Sequence, residues 1–322
     1  MKRRCIVGLV CFFSLLTVLS ICGESSLAAP FPDKPIKLIV NFPPGSGIDI
    51  EARAIAPYLQ KYLGVPIAIE NVAGADGKIG LTRLWKTEPN GYTLIMHSTS
   101  MSIIVERLSN PEYQMTGFTP IFSWSRNNQV LVVNSAGWKN LDEFIKGARE
   151  RTLSVGMSGR GSVSHLMGLM FVDGLGLKVN WVPFDGGGEA LTALAGKHVD
   201  FVTVASTSAL PLVKAGKLRP LLIFGESRDP GFPDTPIPKE AGYPLTMISL
   251  VRGMDGPPKL SEAIVKIIEE AFEKAIKEPD FLNWAQKRMM EIVPLRHEEY
   301  RKIILDQQKL VEKYIPFLKA GN

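Results

Sequence analysis

The sequence predicts an α/β protein built of two lobes. Runs of β-branched residues alternate with helical patterns along the chain, an order that gives largely parallel sheets with helices on their faces. The chain has 322 residues, 45% of them hydrophobic, and this length exceeds one typical domain. We therefore expect two units, each with its own sheet and core.

Residues 1–28 have the composition of a secretory signal peptide. Three basic residues at the start precede an uncharged apolar run, and small residues follow near Ala28. The run is shorter than the roughly 20 residues that a membrane span needs, although a transmembrane anchor or a lipid anchor on Cys22 stays open. All three cysteines lie in this segment, so cleavage after Ala28 leaves a mature chain without disulfides or thiolate metal sites.

Two crossings are expected to divide the mature chain. Residues 118–134 hold two β-like runs around a polar centre, which we interpret as the first crossing between lobes. The return crossing is expected over residues 245–251, after a proline-rich connector. We therefore assign residues 29–126 and 250–322 to lobe one and residues 127–249 to lobe two.

The first predicted strand ends in a loop of prolines and glycines that can bind an anion. Pro43 and Pro44 stop the strand, Gly45 and Gly47 permit positive φ, and Asp49 is a good N-cap for the next helix. Backbone N–H groups and the dipole at a helix N-terminus stabilise a carboxylate or a phosphate. A plain turn without a ligand is the alternative for this loop taken alone.

Further loops of this kind follow other predicted strands. A glycine and serine loop contains Ser158 and Ser162, and three consecutive glycines come shortly after Phe184. Ser98 and Ser206 stand at the carboxyl ends of two more strands, where open α/β sheets bind ligands. The sequence therefore predicts a cleft lined by hydroxyl groups and glycine loops.

Several classes of function are disfavoured. Ile50 stands where a dinucleotide fingerprint needs its third glycine, and Ile79 stands where a P-loop needs serine or threonine. The four histidines show no spacing typical of a metal site or a catalytic base. The net charge of +5 is spread among acidic residues, which argues against a nucleic-acid partner. We expect no catalytic residue, no cofactor, no metal site and a monomer.

Two polar features leave alternatives open. His165 begins a helix beside serines, so an exported hydrolase using Ser158 or Ser162 with His165 competes with a capping or packing role for this histidine. Arg252 stands alone among apolar residues of the return crossing. It is either a solvated charge or a cleft guanidinium aimed at a carboxylate.

Six short motifs occur in order along the mature chain. They are Phe31-Pro32-Asp33-Lys34-Pro35-Ile36, Phe42-Pro43-Pro44-Gly45, Gly91-Tyr92-Thr93-Leu94, Gly161-Ser162-Val163-Ser164-His165-Leu166, Val182-Pro183-Phe184-Asp185-Gly186-Gly187 and Ala215-Gly216-Lys217-Leu218-Arg219. Together they resemble the Bug/TctC family, the extracytoplasmic solute-binding receptors of tripartite tricarboxylate transporters. The resemblance covers essentially the whole mature chain.

The resemblance implies a type II periplasmic-binding-protein fold, with two α/β lobes, crossing hinge strands and a central ligand cleft. It implies a periplasmic receptor that binds a small organic acid and delivers it to the membrane permease subunits of a tripartite transporter. A receptor that signals to a sensor protein is the alternative output. The predicted ligand-binding residues are Phe42, Pro44, Gly45, Ser46, Asp49, Ser98 and Thr99 in lobe one, Ser158, Ser162, Ser164, His165, Phe184, Asp185, Gly186, Ala205 and Ser206 in lobe two, and Arg252.

The chain departs from the family pattern at some of the predicted ligand-binding positions. Ser46 and Ile48 replace a glycine and a threonine of the first loop, so Ile48 lacks a hydroxyl donor. Many relatives have Tyr-Lys where Phe184 and Asp185 stand, which exchanges a cation for an anion. Because a carboxylate repels a second carboxylate, Asp185 predicts a preference for ligands with a hydroxyl, amine or neutral distal group.

Overall fold

The computed structural model contains two mixed sheets with helices packed around them. It describes residues 31–159, 161–243, 245, 247–248 and 250–320. The predicted signal peptide, with its cysteines, lies outside these residues. Within the described part of the chain, no helix is both long and apolar enough to cross a membrane.

The strands and helices alternate along most of the chain, as the sequence predicts. The strands are β1 (Ile36–Val40), β2 (Ile67–Asn71), β3 (Thr93–Ser98), β4 (Thr119–Arg126), β5 (Gln129–Asn134), β6 (Leu153–Ser158), β7 (Val179–Phe184), β8 (Phe201–Ala205), β9 (Leu218–Phe224), β10 (Val251–Gly256) and β11 (Glu291–Arg296). The helices are α1 (Gly47–Leu63), α2 (Lys78–Trp85), α3 (Thr99–Ser109), α4 (Leu141–Glu150), α5 (Val163–Leu175), α6 (Gly187–Ala195), α7 (Ser206–Lys214), α8 (Glu262–Ala275), α9 (Pro279–Lys287) and α10 (His297–Ala320).

The first sheet has the strand order β11-β4-β10-β3-β1-β2. Strand β1 pairs in parallel with β2 and β3, whereas β10 runs antiparallel to both β3 and β4. Ile36, Leu38, Ile39 and Val40 of β1 are at most 1% exposed, as a strand covered on both faces requires. Parallel strands end at the same edge of a sheet, so the loops after β1 and β3 open side by side.

The second sheet has the strand order β7-β6-β8-β5-β9, with β6 parallel to β7 and β8 and with β5 antiparallel to β8 and β9. The chain leaves the first sheet after Arg126, joins the second at Gln129, and returns between Phe224 and Val251. The predicted two-lobed α/β fold is confirmed. The lobe bounds at residues 126/127 and 249/250 stay a prediction, because sheet membership does not show where one rigid body ends.

A shared apolar core joins the two sheets through helices α3, α5 and α10. Ile104 of α3, Phe171 of α5 and Val311 of α10 are at most 1% exposed and belong to one cluster. The Tyr314 hydroxyl of α10 donates a hydrogen bond to the Asp173 carboxylate of α5 at 3.0 Å. Apolar packing therefore fixes one part of the junction between the lobes.

The sequence analysis did not predict helices α3 and α7 or strand β11. Strand β10 begins at Val251, the residue at which the predicted return crossing ends. Thr99 and Ser206 begin the two helices, and such hydroxyl residues favour caps and turns over helix interiors. Thr99 is buried and shares a hydrogen bond of 2.7 Å with Tyr300, so tertiary contacts outweigh its weak helix propensity. Strand β11 contains Pro294 and lies at the edge of its sheet, the place where a strand tolerates proline.

Candidate functional site

Helix α1 begins at the loop after β1, and Ser46 is its N-cap. The Ser46 hydroxyl accepts a hydrogen bond from the Asp49 backbone N–H at 3.4 Å. The Asp49 carboxylate reaches back and accepts from the Gly45 N–H at 2.8 Å. This reciprocal arrangement resembles a capping box. The predicted N-cap role of Asp49 is therefore wrong, and its buried carboxylate holds the loop from within the first turn.

Two further side chains fix the Asp49 carboxylate. Asn71 Nδ2 donates to it at 2.8 Å, and Arg53 Nε donates at 3.0 Å. Burial raises the pKa of Asp49, but the hydrogen bonds from Arg53, Gly45 and Asn71 outweigh that effect, so the pKa lies below its ordinary value. The group is therefore ionised in the folded loop at neutral pH.

Arg252 lies against the first turn of α1. A Cβ added at Gly47 would stand 2.8 Å from Arg252 Nη2. Arg252 Nη1 donates to Glu51, whose carboxylate also accepts from Trp124 Nε1 and from Ser125 Oγ, each at 3.0 Å. Burial raises the pKa of Glu51 despite these partners. A cation at a helix N-terminus is unfavourable unless an anion accompanies it, so Glu51 offsets the charge and an anionic ligand would add to that effect.

Two cavities meet at Gly47 and Arg252. The loop-side cavity has a volume of about 280 Å³ and is lined by Phe42, Ser46, Gly47, Ile48, Ser98, Met101, Val163 and Arg252. The crossing-side cavity has a volume of about 300 Å³ and is lined by Gly47, Ile50, Glu51, Arg126, Asn127, Asn128, Ser206, Thr207, Asp229, Arg252, Trp284, Arg288, Met289, Met290 and Glu291. Each is lined by residues of both proposed lobes, so both lie in the cleft between them.

The structure brings together part of the predicted site. Phe42, Ser46, Ser98 and Arg252 line the loop-side cavity, and Ser206 lines the crossing-side cavity. The remaining predicted residues are outside both linings. Among them, Pro44 and Gly45 are exposed on the first loop, Ala205 is half-buried at the end of β8, and Thr99 is fully buried.

Three polar residues of the second loop, Ser162, Ser164 and His165, form hydrogen bonds within lobe two. Ser162 is the N-cap of α5 and accepts from the His165 N–H at 3.1 Å, and Ser164 Oγ donates to Gln129 at 2.7 Å. The His165 ring is fully buried, accepts from the Gly161 N–H at 3.2 Å and packs edge-on against Trp181. Ser162 is therefore the cap of α5, and the His165 ring is enclosed within lobe two.

The third loop is also outside both linings. Asp185 is exposed, and its backbone N–H donates to the Glu189 carboxylate at 3.2 Å. Phe184 is half-buried against Gly156, and nothing lies within 4 Å of a Cβ added at Gly186. Ser158 of the second loop lies beside Gly187. The effect of Asp185 on ligand preference stays a prediction, and the structure gives it no cavity contact.

A buried polar network behind the loop-side cavity was not predicted. His97 Nδ1 lies 2.9 Å from Ser102 Oγ, and His97 Nε2 lies 2.9 Å from the Asp255 carboxylate. All three side chains are at most 1% exposed, so the arrangement cannot meet a substrate. Ser102 Oγ donates to the Ser98 carbonyl at 3.0 Å. The network therefore fixes the end of β3, where Ser98 reaches the cavity.

The crossing residues Arg126, Asn127 and Asn128 were also missed as lining residues. The sequence signal for these residues is the pair of asparagines between two apolar strands, because polar side chains in a crossing segment do not pack in a hydrophobic core.

Within the described ranges, no group of three histidine, cysteine, aspartate or glutamate residues could hold a metal ion. The cleft thus offers hydrogen bonds, a helix N-terminus and guanidinium groups.

Two α/β lobes around a polar cleft are the architecture found in solute-binding proteins. Within this class of proteins, the profile of the tripartite tricarboxylate transporter family receptor (TctC) matches residues 51–319, and the chain belongs to this family. BugT of Bordetella pertussis is 32% identical over 275 residues, which cover 82% of this chain and 84% of that protein. The Bug/TctC resemblance is therefore confirmed.

Two solved structures support the same assignment. A TctC solute-binding protein from Polaromonas without ligand has a TM-score of 0.82 and 26% identity, covering 89% of this chain and 99% of that one. MatC from Rhodopseudomonas palustris with bound malate has a TM-score of 0.68 and 28% identity, covering 89% of this chain and 100% of that one.

Proposed function

We propose that the protein is a periplasmic receptor that captures a small organic carboxylate between its lobes and delivers it to a membrane permease. The observation that carries this proposal is the loop-side cavity, where the start of α1 and Arg252 converge. Backbone N–H groups and a guanidinium group together favour a carboxylate. Membership of the receptor family and the malate bound in MatC support this ligand class.

A ligand screen by thermal shift, followed by isothermal titration calorimetry, tests the capture step. The panel contains mono-, di- and tricarboxylates, amino acids, aromatic acids, neutral sugars and inorganic cations. A ligand that binds only the folded state adds about 2.7 kcal/mol to the free energy of unfolding at a hundredfold excess over Kd. We expect a shift with at least one small acid. Shifts confined to sugars or cations would overturn the proposal.

Export and delivery have separate tests. The N-terminal sequence of the protein from the periplasmic fraction should begin directly after residue 28, as expected from the small residues there. Deleting the gene should abolish uptake of the acid that the screen identifies. Unchanged uptake with a lost transcriptional response to that acid would replace delivery by a sensing output.

A further inference from the structure

The lining of the loop-side cavity contains four apolar side chains. Phe42 follows β1, Met101 lies in the first turn of α3, and Val163 is the first residue of α5. All three are half-buried, so part of each residue stays accessible, and Ile48 adds a largely buried side chain to the same lining. A ligand in this cavity therefore meets hydrocarbon surface from both proposed lobes.

Met101 differs from the other three in its packing. Phe42 and Ile48 pack in the apolar cluster around α1, and Val163 packs against the core that joins the two sheets. Met101 belongs to none of the apolar clusters formed by the described residues. A methionine side chain is flexible and polarisable, so it adapts to surfaces of different shape. Its position in the cavity wall is therefore suited to packing on the hydrocarbon of a ligand.

The charged and hydrogen-bonding groups of the lining match a single carboxylate. Among the described residues, Arg252 is the only charged member of this lining, and its guanidinium group is paired with Glu51 through Nη1. Gly47 and Ile48 are the first two residues of α1, and helix geometry leaves their N–H groups without an intrahelical acceptor. One carboxylate can accept from these N–H groups and from Arg252 Nη2. A second carboxylate would lose its hydration against apolar side chains.

We propose that the ligand is a monocarboxylate with a hydrocarbon body, and that Phe42, Met101 and Val163 form the subsite for that body. The inference rests on the proposed function, in which the ligand carboxylate occupies the loop-side cavity beside Arg252. A ligand favours the closed receptor only through contacts that it gains on closure. Because Val163 belongs to lobe two, closure brings it onto the hydrocarbon and removes that surface from water.

Matched ligand pairs test the substrate class by isothermal titration calorimetry. The pairs are butyrate with succinate, pentanoate with glutarate, hexanoate with adipate, and benzoate with terephthalate. Affinity along the aliphatic monoacids should rise about threefold to fourfold for each methylene group that is buried. We expect each monoacid to bind about tenfold tighter than its diacid, because the second carboxylate meets no cation in the subsite. A diacid that binds as tightly as its matched monoacid, or tighter, would overturn the inference.

Variants of Met101 separate the apolar contact from effects on the fold. Met101→Gln places an amide against the hydrocarbon, so hexanoate affinity should fall about fivefold and the dependence on chain length should weaken. Met101→Leu keeps an apolar side chain and should retain both. Leu305→Gln, at an exposed position of α10 outside the lining, is the control and should change neither. Thermal unfolding verifies that each variant folds, and Met101→Ser replaces Met101→Gln if the latter does not. An unchanged chain-length series in the folded polar variant contradicts the inference.

Val163→Thr tests the contact from lobe two. The substitution keeps the shape of the side chain and adds a hydroxyl group, so hexanoate affinity should fall about threefold while acetate, which has no chain to reach this residue, is unaffected. Val213→Thr, at a half-buried position of α7 outside the lining, is the matched control. Unchanged hexanoate affinity in folded Val163→Thr would overturn the contact with lobe two. Tighter binding of diacids than of monoacids refutes only the hydrocarbon subsite, whereas no binding of any acid refutes the proposed function too.

Discussion

The loops at residues 42–49 and 158–165 share one local construction and differ in their surroundings. Each follows a strand and begins a helix with a serine N-cap that accepts from the backbone N–H three residues later, at 3.4 Å for Ser46 and 3.1 Å for Ser162. The first loop lines the loop-side cavity with Phe42, Ser46 and Ile48, whereas the second contributes the apolar Val163 to that lining and bonds Ser162, Ser164 and His165 within lobe two. The same capping chemistry therefore lies beside a polar cavity in one place and within lobe two in the other.

The third residue of the helix that follows each loop shows the same contrast. Asp49 is an ionised carboxylate that anchors its loop beside the cleft by accepting a hydrogen bond from the Gly45 N–H. His165 is an aromatic ring packed on Trp181 in the core of lobe two. We therefore expect substitutions in the first loop to change ligand affinity and substitutions of Ser162, Ser164 and His165 in the second to change mainly stability.

Arg252→Gln should produce the largest effect. It removes a charge-assisted hydrogen-bond donor from the loop-side cavity, so we expect acid affinity to fall about a hundredfold, or about 2.7 kcal/mol. The variant also leaves Glu51, with a side chain 6% exposed, without its ion-pair partner, which lowers stability. Isothermal titration calorimetry and thermal unfolding measure the two effects.

A double variant separates affinity from stability at this site. Arg252→Gln combined with Glu51→Gln removes the unpaired charge, so stability should recover while affinity stays low. Arg149→Gln, at an exposed position on α4, is the matched control and should change neither quantity. Acid affinity within twofold of the unmodified protein in Arg252→Gln would show that Arg252 is a structural charge.

Asp49→Asn tests the anchor of the first loop. Hydrogen bonds to a charged group contribute about 1.5–3 kcal/mol, so we expect a loss of that size at neutral pH together with weaker acid binding. The pKa of Asp49 is lowered from 3.8 in the folded state, so its stabilisation is complete above about pH 5 and is lost as the pH falls through the folded-state value.

Urea unfolding of the unmodified protein and Asp49→Asn over a pH series measures this linkage. The difference in the free energy of unfolding between the two proteins should be constant near neutral pH and should shrink in acid. Asp234→Asn, at an exposed position of the connector, is the control. A difference that stays constant throughout the acid range would contradict the ionised anchor.

Ser46→Ala and Ser162→Ala compare the two caps directly. Each removes an N-cap oxygen, so each should lower the free energy of unfolding by about 1 kcal/mol. Ser46→Ala should also weaken acid binding, because Ser46 lines the loop-side cavity, whereas Ser162→Ala should leave affinity unchanged. Equal losses of affinity in the two variants would show that the Ser162 cap also contributes to ligand binding.

The sequence was informative where local chemistry determines structure. Strand–loop–helix units, the two-lobed α/β class and the family all follow from periodicity, turn residues and motif order. The residues that line the cleft do not follow from these local signals. Arg126 and Glu291, for example, are brought to the cleft by pairing between strands that are far apart in the chain. For the same reason the sequence predicts Thr99 and His165 as ligand-binding residues, although tertiary packing buries both.

Gly47→Ala and Gly186→Ala test the first and the third strand-end loops, and their expected effects are the smallest. A Cβ at Gly47 would stand 2.8 Å from Arg252 Nη2, so the guanidinium group must shift, whereas nothing lies within 4 Å of a Cβ at Gly186. Neither backbone has the positive φ that favours glycine. We expect about a threefold loss of acid affinity for Gly47→Ala, equivalent to about 0.7 kcal/mol, and no loss for Gly186→Ala. A loss confined to Gly186→Ala would place the ligand against the third loop and transfer the binding role to lobe two.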